Sequence, residues 1–253
     1  MRRFFVDSSC ITEEKIIITL KSDISHIVNV LRMKEGDSLL ISDMTEYEYT
    51  CTIDEITKNE IVALVVEKKT FTREPELSIT LFQGIPKSSK METIIQKCIE
   101  LGVNKIVPFV SLRTAINSKN DVAKSKYDRW CRIAAETVKQ CRRGIIPEIC
   151  KPIKLDEITN YFSDYDLVIV LYELEDSLNL KQALKEYKEN QTSKKYPNVA
   201  IIIGSEGGLE YSEIKTLVEA GTVSVTVGKT ILRTETAGPA AIAMLFYEFE
   251  LDE

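Results

Sequence analysis

The sequence predicts an α/β protein with a mostly parallel sheet, preceded by a small β-rich module. From residue 77 onward, apolar strand-like runs alternate with helical patterns, which is typical of a parallel sheet covered by helices. Before residue 70 there are instead short β-branched or aromatic runs separated by polar turns. Because the polar stretch 68–75 ends in a proline, we predict two domains, residues 1–72 and 73–253.

Length and composition fit a globular protein rather than a membrane protein. The 253 residues are 44% hydrophobic and 28% charged, and no run approaches the length of a membrane span. The apolar start is too short for a signal peptide. Six cysteines without a C-x-x-C pair and a single histidine indicate no metal site. Free thiols without a secretion signal predict a cytoplasmic protein.

The β-rich module contains five predicted strands, at residues 3–6, 15–20, 38–42, 47–53 and 61–67. One helix is predicted at about 22–33, with Ser22 as its N-cap. The only histidine, His26, lies on this helix, where a structural or RNA-contacting role is favoured over a catalytic one. The apolar face of the helix recurs at helical spacing and consists of Ile24, Ile27, Val28 and Leu31.

Strands and helices alternate through the rest of the chain. Gly102 is expected to end the helix that begins near residue 89, and Thr236 to cap the last helix with Pro239 in its first turn. A long helix at about 124–141 has one apolar side that includes Trp130 and Val138. The predicted strands are 77–83, 105–110, 167–171, 199–203 and 223–227, and the remaining helices are about 89–101, 178–189, 212–220 and 236–250.

Charge is distributed unevenly along the chain. Residues 1–70 hold 9 basic and 13 acidic residues, a balance of −4, and residues 155–253 hold 8 and 18, a balance of −10. Residues 71–154 hold 16 basic and 8 acidic residues, a balance of +8. A basic block in an acidic protein indicates a phosphate-facing surface, although a solvated lysine-rich face has the same composition.

Polar and glycine-rich loops follow two buried strands near the C-terminus. Strand 199–203 ends in GSEGG at 204–208, and strand 223–227 leads through Gly228 into ILRTETA at 231–237. A tight turn would explain GSEGG alone, but capping of the last helix requires neither Arg233 nor Glu235. Because ligands bind at the carboxyl ends of strands in open α/β sheets, these loops predict a cofactor site.

The loops match neither of the common nucleotide-binding motifs. The sequence contains no G-x-x-x-x-G-K-[ST], and no G-x-G-x-x-G opens the first strand–helix unit. A P-loop enzyme and a dinucleotide-binding domain are therefore disfavoured. What remains is a cofactor held by backbone groups and apolar side chains.

The pair of motifs resembles a known family. GSEGGL at 204–209 followed by GKTILRTETA at 228–237 is similar to the RsmE family of small-subunit ribosomal RNA (uridine N3)-methyltransferases, which belong to the SPOUT, or trefoil-knotted, superfamily. Ser205 replaces the usual proline, and Lys139 lies in a segment that departs from the family pattern. Collinear matches extend to SHIVNVLRMKEGD at 25–37, Pro86 and Lys87, QKCIELG at 96–102, and Trp130 to Pro147.

The resemblance implies a PUA-like β-barrel for RNA recognition before a knotted SPOUT domain. It also implies a homodimer, S-adenosylmethionine as cofactor and 16S rRNA of the small ribosomal subunit as substrate. No membrane and no metal are expected to take part. Carried over by position, the cofactor-binding residues are Leu171, Tyr172, Glu173, Ile203, Gly204, Glu206, Gly207, Gly208, Val227, Gly228, Ile231, Leu232, Arg233, Thr236 and Ala237.

Chemistry at uracil N3 requires loss of a proton and stabilisation of the charge left on the ring. We expect Arg233 to stabilise that charge, and Glu206 or Glu235 to accept the proton, to bind the cofactor's cation or to order the loop. The predicted RNA-binding residues are His26, Arg32, Lys87, Arg113, Arg129, Arg132, Arg142 and Arg143.

Two other classes of function are considered. A non-catalytic RNA-binding ribosome-assembly factor that retained the fold would share the basic segment, but the intact glycine and R-x-E-T-A loops speak against it. A nucleotide-binding hydrolase is opposed by the missing P-loop and the single histidine.

Overall fold

The computed structural model describes residues 3–71, 74–115, 122, 124–190 and 194–251. It divides into two compact units, residues 1–74 with 138–146, and residues 75–137 with 147–253. The sequence placed segment 138–146 in the second domain, whereas the structure places it in the first unit. Glu74 explains this placement, since its carboxylate accepts hydrogen bonds from the backbone N–H groups of Gly144 at 2.6 Å and Ile145 at 3.0 Å.

The first unit contains a five-stranded mixed sheet in the order β1-β3-β4-β5-β2. Only β1 and β3 pair in parallel, and the other three pairs are antiparallel. Alternate residues of β4 and its neighbours face one buried core that includes Phe4, Ile16, Ile41 and Cys51. The strands are β1 (Arg3–Phe5), β2 (Lys15–Ile18), β3 (Ser38–Ser42), β4 (Tyr47–Ile56) and β5 (Ile61–Thr70).

The helix of the first unit differs from its prediction at both ends. Helix α1 (Lys21–Ser25) begins without a side-chain cap and continues into a π-helical segment, His26–Val30. Ser22 is therefore inside the helix and not its N-cap. Arg32 ends the segment in the left-handed region, with a φ of 54°. The predicted apolar face is confirmed, because Ile24 and Ile27 are buried and Val28 and Leu31 pack against the same core.

The second unit contains a parallel sheet, as predicted. Its order is β12-β10-β11-β6-β7-β8, and β9 also pairs with β7. Residue Leu171 of β10 lies opposite both Ile203 of β11 and Val225 of β12, so the carboxyl ends of these strands are level. The strands are β6 (Ser78–Gly84), β7 (Lys105–Val110), β8 (Glu148–Ile149), β9 (Ile153–Lys154), β10 (Leu167–Leu171), β11 (Asn198–Ile203) and β12 (Val223–Val225).

In the part of the chain that the structure describes, five α-helices accompany this sheet: α2 (Lys90–Glu100), α3 (Lys124–Cys141), α4 (Leu180–Asn190), α5 (Tyr211–Glu219) and α6 (Thr234–Phe249). Gly102 follows α2 with a φ of +111°, which agrees with its predicted role. The short strands β8 and β9 and the 3₁₀ helix Leu155–Asp164 were not predicted. No helix of the described ranges is long and apolar enough to cross a membrane.

The last helix begins two residues earlier than predicted. Helix α6 starts at Thr234, so Thr236 is not its cap and Pro239 lies inside the helix. Strand β12 lies at the edge of the sheet, but α6 packs against α2 and against the central strands β6 and β11. The chain therefore returns across the sheet after β12, which is the path expected of the knotted connection that the resemblance implies.

Candidate cofactor cleft

A cleft of about 1600 Å³ opens at the carboxyl ends of β10, β11 and β12. Its walls are the three loops that follow these strands, together with parts of α4 and α6. Thr236 is exposed and does not line the cleft, whereas Thr234 does. The other predicted cofactor-binding residues all line it: Leu171, Tyr172, Glu173, Ile203, Gly204, Glu206, Gly207, Gly208, Val227, Gly228, Ile231, Leu232, Arg233 and Ala237.

The glycine loop is packed too closely for side chains at two of its positions. A Cβ on Gly204 would lie 2.9 Å from the carbonyl carbon of Gly208. Gly208 has a φ of +68°, and a Cβ there would lie 2.3 Å from Oε1 of Glu173. Ser205 replaces the family's proline without opening the turn, because its carbonyl still accepts the Gly208 N–H at 2.9 Å. Glycine is thus required at 204 by backbone contact and at 208 by its positive φ.

A buried polar link joins this loop to α6. The Thr234 hydroxyl donates to the carbonyl of Gly204 at 2.7 Å and accepts from the Gln83 side-chain amide at 2.9 Å. Thr234 and Gln83 are both buried. This link favours a helix start at Thr234, since the hydroxyl is the nearer of two donors to the Gly204 carbonyl, the other being the Gln83 amide at 3.4 Å.

Lys90, at the start of α2, lies between the two predicted catalytic carboxylates, Glu206 and Glu235. Its ammonium is 3.0 Å from Oε1 of Glu206 and 3.5 Å from Oε2 of Glu235. Glu206 also accepts the backbone N–H of Lys87 at 3.1 Å. Burial acts to raise the pKa of Glu206, but hydrogen bonds from its own backbone and from Lys90 outweigh it and lower that pKa. A carboxyl with a lowered pKa is a weaker proton acceptor.

Glu235 and Arg233 have different surroundings. Oε2 of Glu235 is buried and has no hydrogen-bond donor within the described part of the chain, apart from the longer ion contact to Lys90. Arg233 is exposed at the edge of the cleft and forms no ion pair with any described residue. Its guanidinium is therefore available to a ligand.

The predicted RNA-binding residues of the first unit are of two kinds. Arg32 and Arg142 are exposed, and His26 is half-buried with its ring against Phe4. Arg143 is only 4% exposed, and its guanidinium pairs with Glu74 at 3.0 Å. The structure thus contradicts a phosphate-contacting role for Arg143, because a buried, paired guanidinium cannot reach an external phosphate.

In the second unit, two of the predicted RNA-binding arginines have protein partners. Arg129 forms a two-pronged pair with Glu92 at 2.7 and 2.8 Å. Arg113 pairs with Glu210 at 2.8 Å and donates to the carbonyl of Gly207 at 3.1 Å, which supports the glycine loop. Lys87 and Arg132 are exposed, and neither forms an ion pair among the described residues. Lys139, which lies in the segment that departs from the family pattern, belongs to the first unit and pairs there with the buried Asp23 at 3.6 Å.

Sequence analysis missed several residues of the cleft. Lys90 lies outside the two motif loops. Thr234 lies within one of them but acts through contacts to residues that are remote in sequence. The small residues Ala240 and Ala243 and the larger Tyr247 line the cleft from one face of α6, and their helical spacing was the available signal. No group of three potential metal ligands occurs among the described residues.

Comparisons with known proteins agree on one family. A family model described as an RNA methyltransferase domain matches residues 73–246, and one described as an RNA methyltransferase PUA domain matches residues 21–66. The chain is 31% identical to ribosomal RNA small subunit methyltransferase E of Bacillus subtilis over 99% of this chain and 98% of that protein. It is 34% identical to the protein of that name from Buchnera aphidicola (subsp. Schizaphis graminum), over 93% of this chain and 92% of that one.

A solved structure shows the same likeness in three dimensions. The crystal structure of a ribosomal RNA small subunit methyltransferase E from Neisseria gonorrhoeae, bound to S-adenosyl methionine, superposes with a TM-score of 0.80 at 27% identity. The match covers 97% of each chain, so it includes both units and the cleft.

Proposed function

We propose that this chain, which belongs to the RsmE family of RNA methyltransferases, transfers a methyl group from S-adenosylmethionine to N3 of a uridine in 16S rRNA. The observation that supports this most directly is the cleft at the level ends of β10, β11 and β12. The Neisseria gonorrhoeae relative binds S-adenosyl methionine within the same fold. The relatives' shared name supports ribosomal RNA of the small subunit as the substrate.

The residues of the cleft fit this cofactor. Both motif loops line the cleft, and Gly204, Gly207, Gly208 and Gly228 leave their backbone groups uncovered by side chains. Leu171, Ile203, Val227 and Leu232 provide apolar walls of the kind that bury an adenine ring. Glu173 adds a carboxylate on the wall, which complements a cationic ligand. When bound, S-adenosylmethionine supplies a methyl group on a positively charged sulfur.

Different residues around the cleft are assigned to different parts of the reaction at the uridine. The N3–H proton must leave so that the nitrogen electron pair can form the new N–C bond, while the S–C bond breaks towards sulfur. We assign to Arg233, which lines the cleft, the stabilisation of the negative charge that spreads to the ring carbonyl oxygens. We assign proton acceptance to Glu235, whose buried Oε2 accepts no hydrogen bond within the described residues and contacts the Lys90 ammonium at 3.5 Å. Glu206 is assigned to loop positioning, because several donors hold it in its ionised form.

The target uridine is expected to be unpaired or flipped out of a helix. In a duplex its N3–H is used in base pairing and is inaccessible. The exposed residues Lys87 and Arg132 of the second unit, and Arg32 and Arg142 of the first, are candidates for phosphate contacts.

A homodimer and a cytoplasmic location complete the proposal. Met244 and Tyr247 of α6 and Ile231 of the preceding loop are exposed apolar side chains, which supports burial of this region by a second copy. All six cysteines are free, which suits a reducing compartment.

Arg233→Ala tests the proposal. The variant should keep its fold but lose methyl transfer to small ribosomal subunits by roughly a hundredfold or more, as expected for removal of a charge-stabilising donor. Lys215→Ala, on the exposed face of α5, is the control and should keep full activity. The product is mapped by mass spectrometry as N3-methyluridine.

Two outcomes would contradict the proposal. Full activity of Arg233→Ala would remove this residue from the chemistry. Binding of ribosomal RNA by the wild type, without cofactor binding or methyl transfer, would instead favour the non-catalytic assembly factor.

A further inference from the structure

One cation connects the glycine loop to the start of α6. Lys90 lines the cleft, and its ammonium lies 3.0 Å from Glu206 of the glycine loop and 3.5 Å from Glu235 in the first turn of α6. The two carboxylates belong to segments that follow different strands, β11 and β12. Lys90 itself begins α2, so three elements meet at this ammonium.

The two carboxylates need this cation because both are partly removed from solvent. Their side chains are only 26% and 22% exposed, so water screens their mutual repulsion poorly. Glu206 has a second donor in the Lys87 backbone N–H. Among the described residues, the Lys90 ammonium is the charged group that contacts Oε2 of Glu235.

Lys90 is well suited to remain charged. Its hydrogen bond to Glu206 raises its pKa above the ordinary lysine value, so the ammonium persists at neutral pH. The side chain is 37% exposed, which is enough for it to form part of the cleft wall while it pairs with both carboxylates.

We propose that Lys90 is a positioning residue that fastens the glycine loop to the start of α6 and so holds both loops in the arrangement that binds the cofactor. The inference rests on the proposed function, because it concerns the same cleft. It adds a residue from α2, outside the two motif loops, and gives Glu206 and Glu235 a shared partner. Loss of the ammonium would leave two neighbouring carboxylates to repel each other across the cleft wall.

Calorimetric binding of S-adenosylmethionine without RNA tests this role. Lys90→Met keeps the length of the side chain without its charge, and we expect its Kd to rise roughly tenfold, as for loss of a charge-assisted contact. Lys90→Arg should bind nearly as tightly as the wild type. Lys97→Met is the matched control, because Lys97 lies on the same helix and pairs with Glu100 on the surface. It should leave the Kd unchanged.

A second variant distinguishes positioning from general damage to the fold. Glu235→Gln in the Lys90→Met background removes the repulsion and should recover part of the lost affinity. In turnover assays, Lys90→Met should raise KM for S-adenosylmethionine more than it lowers kcat. Wild-type affinity in Lys90→Met, or an equal loss in Lys97→Met, would overturn the inference.

The result also separates this inference from the proposed reaction. If the wild type binds S-adenosylmethionine in a Lys90-dependent manner but does not methylate ribosomal RNA, the proposed function fails and the role of Lys90 stands. If the wild type methylates ribosomal RNA and Lys90→Met binds the cofactor normally, only the role of Lys90 fails. If the wild type does not bind the cofactor, both are wrong.

Discussion

At the residue scale, close contact explains more about the glycines than loop flexibility does. Gly84, at the end of β6, was not predicted to have a role, yet a Cβ there would lie 2.6 Å from the backbone nitrogen of Ser205. Gly228, which was predicted to bind the cofactor, has no heavy atom within 4 Å of an added Cβ. Close packing therefore requires glycine at position 84 but not at position 228.

Gly84→Ala should destabilise the protein by roughly 1–3 kcal/mol, because the added methyl group has only backbone to displace. Gly228→Ala, the matched control, should change the free energy of unfolding by less than about 0.5 kcal/mol. Urea denaturation of both variants measures the difference. Equal stability of the two would show that the loop moves freely away from β6.

At the element scale, the start of α6 depends on a contact with a distant loop. The Thr234 hydroxyl bridges the Gly204 carbonyl and the Gln83 amide, and so ties α6 to the ends of β11 and β6. Helix propensity and capping rules pointed to Thr236 because they consider only neighbouring residues. The buried hydrogen bonds decided the register.

Thr234→Val keeps the shape of the side chain and removes the hydroxyl. We expect a loss of about 1–3 kcal/mol in the free energy of unfolding, because buried polar partners lose a hydrogen bond. Thr216→Val removes a comparable hydroxyl, which bonds Ser212 on the exposed face of α5, and should cost much less. If both variants unfold at the same urea concentration, the link does not hold α6.

The turn between β3 and β4 has a pH-dependent support. Oδ1 of Asp43 accepts the backbone N–H groups of Thr45, Glu46 and Tyr47, each at 2.9 Å. Burial acts to raise the pKa of Asp43, but these backbone hydrogen bonds outweigh it and lower that pKa below 3.8. Because the folded pKa is depressed, the stabilisation is complete above the ordinary value and is lost as pH falls through the folded one.

Asp43→Asn should therefore be less stable than the wild type at pH 7, and the difference should shrink below about pH 4. Unfolding free energies measured between pH 7 and pH 3 provide the test. Asp54→Asn, on the exposed side of β4, is the control. A difference from the wild type that stays constant over this range would exclude the charge of Asp43 as the cause.

At the scale of the whole molecule, a net charge of −6 conceals a basic central segment. Not all of its arginines are available to RNA, since Arg143 is buried against Glu74, whereas Arg129 pairs with Glu92 at the surface and stays more than half exposed. Arg132 is exposed without an ion-pair partner among the described residues. The structure thus reduces the candidate RNA-binding surface to a smaller group of cations.

RNA affinity should fall steeply with salt, and Arg132→Ala should reduce the slope of log K against log salt by about 0.7. The melting temperature of Arg132→Ala should stay unchanged. If the RNA affinity of the wild type did not change with salt, the basic segment would be a solvated surface that does not bind phosphates.

Arg143→Ala should instead lower the free energy of unfolding by roughly 3–5 kcal/mol, because it leaves the largely buried Glu74 without its cationic partner.

The sequence by itself determined the longer elements, the class of fold and the family. Apolar periodicity is local, so β3, β7, β10 and α3 were predicted with the bounds that the structure shows. The two motif loops were placed at strand ends for the same reason, and the structure brings all of their predicted cofactor-binding residues except Thr236 to the cleft. Short elements such as β8 have too few residues to show a period.

Only the tertiary structure decided which charged groups meet. Glu206 accepts a hydrogen bond from the backbone N–H of Lys87, which is 119 residues away in the sequence. Arg143 and Glu74 are 69 residues apart. Such pairs depend on the way strands and loops come together, and periodicity holds no information about them. Lys90 therefore appeared in the sequence as one more lysine of a basic segment. Folding places it between Glu206 of the cleft and Glu235 in the first turn of α6, because α2, the glycine loop and α6 converge there.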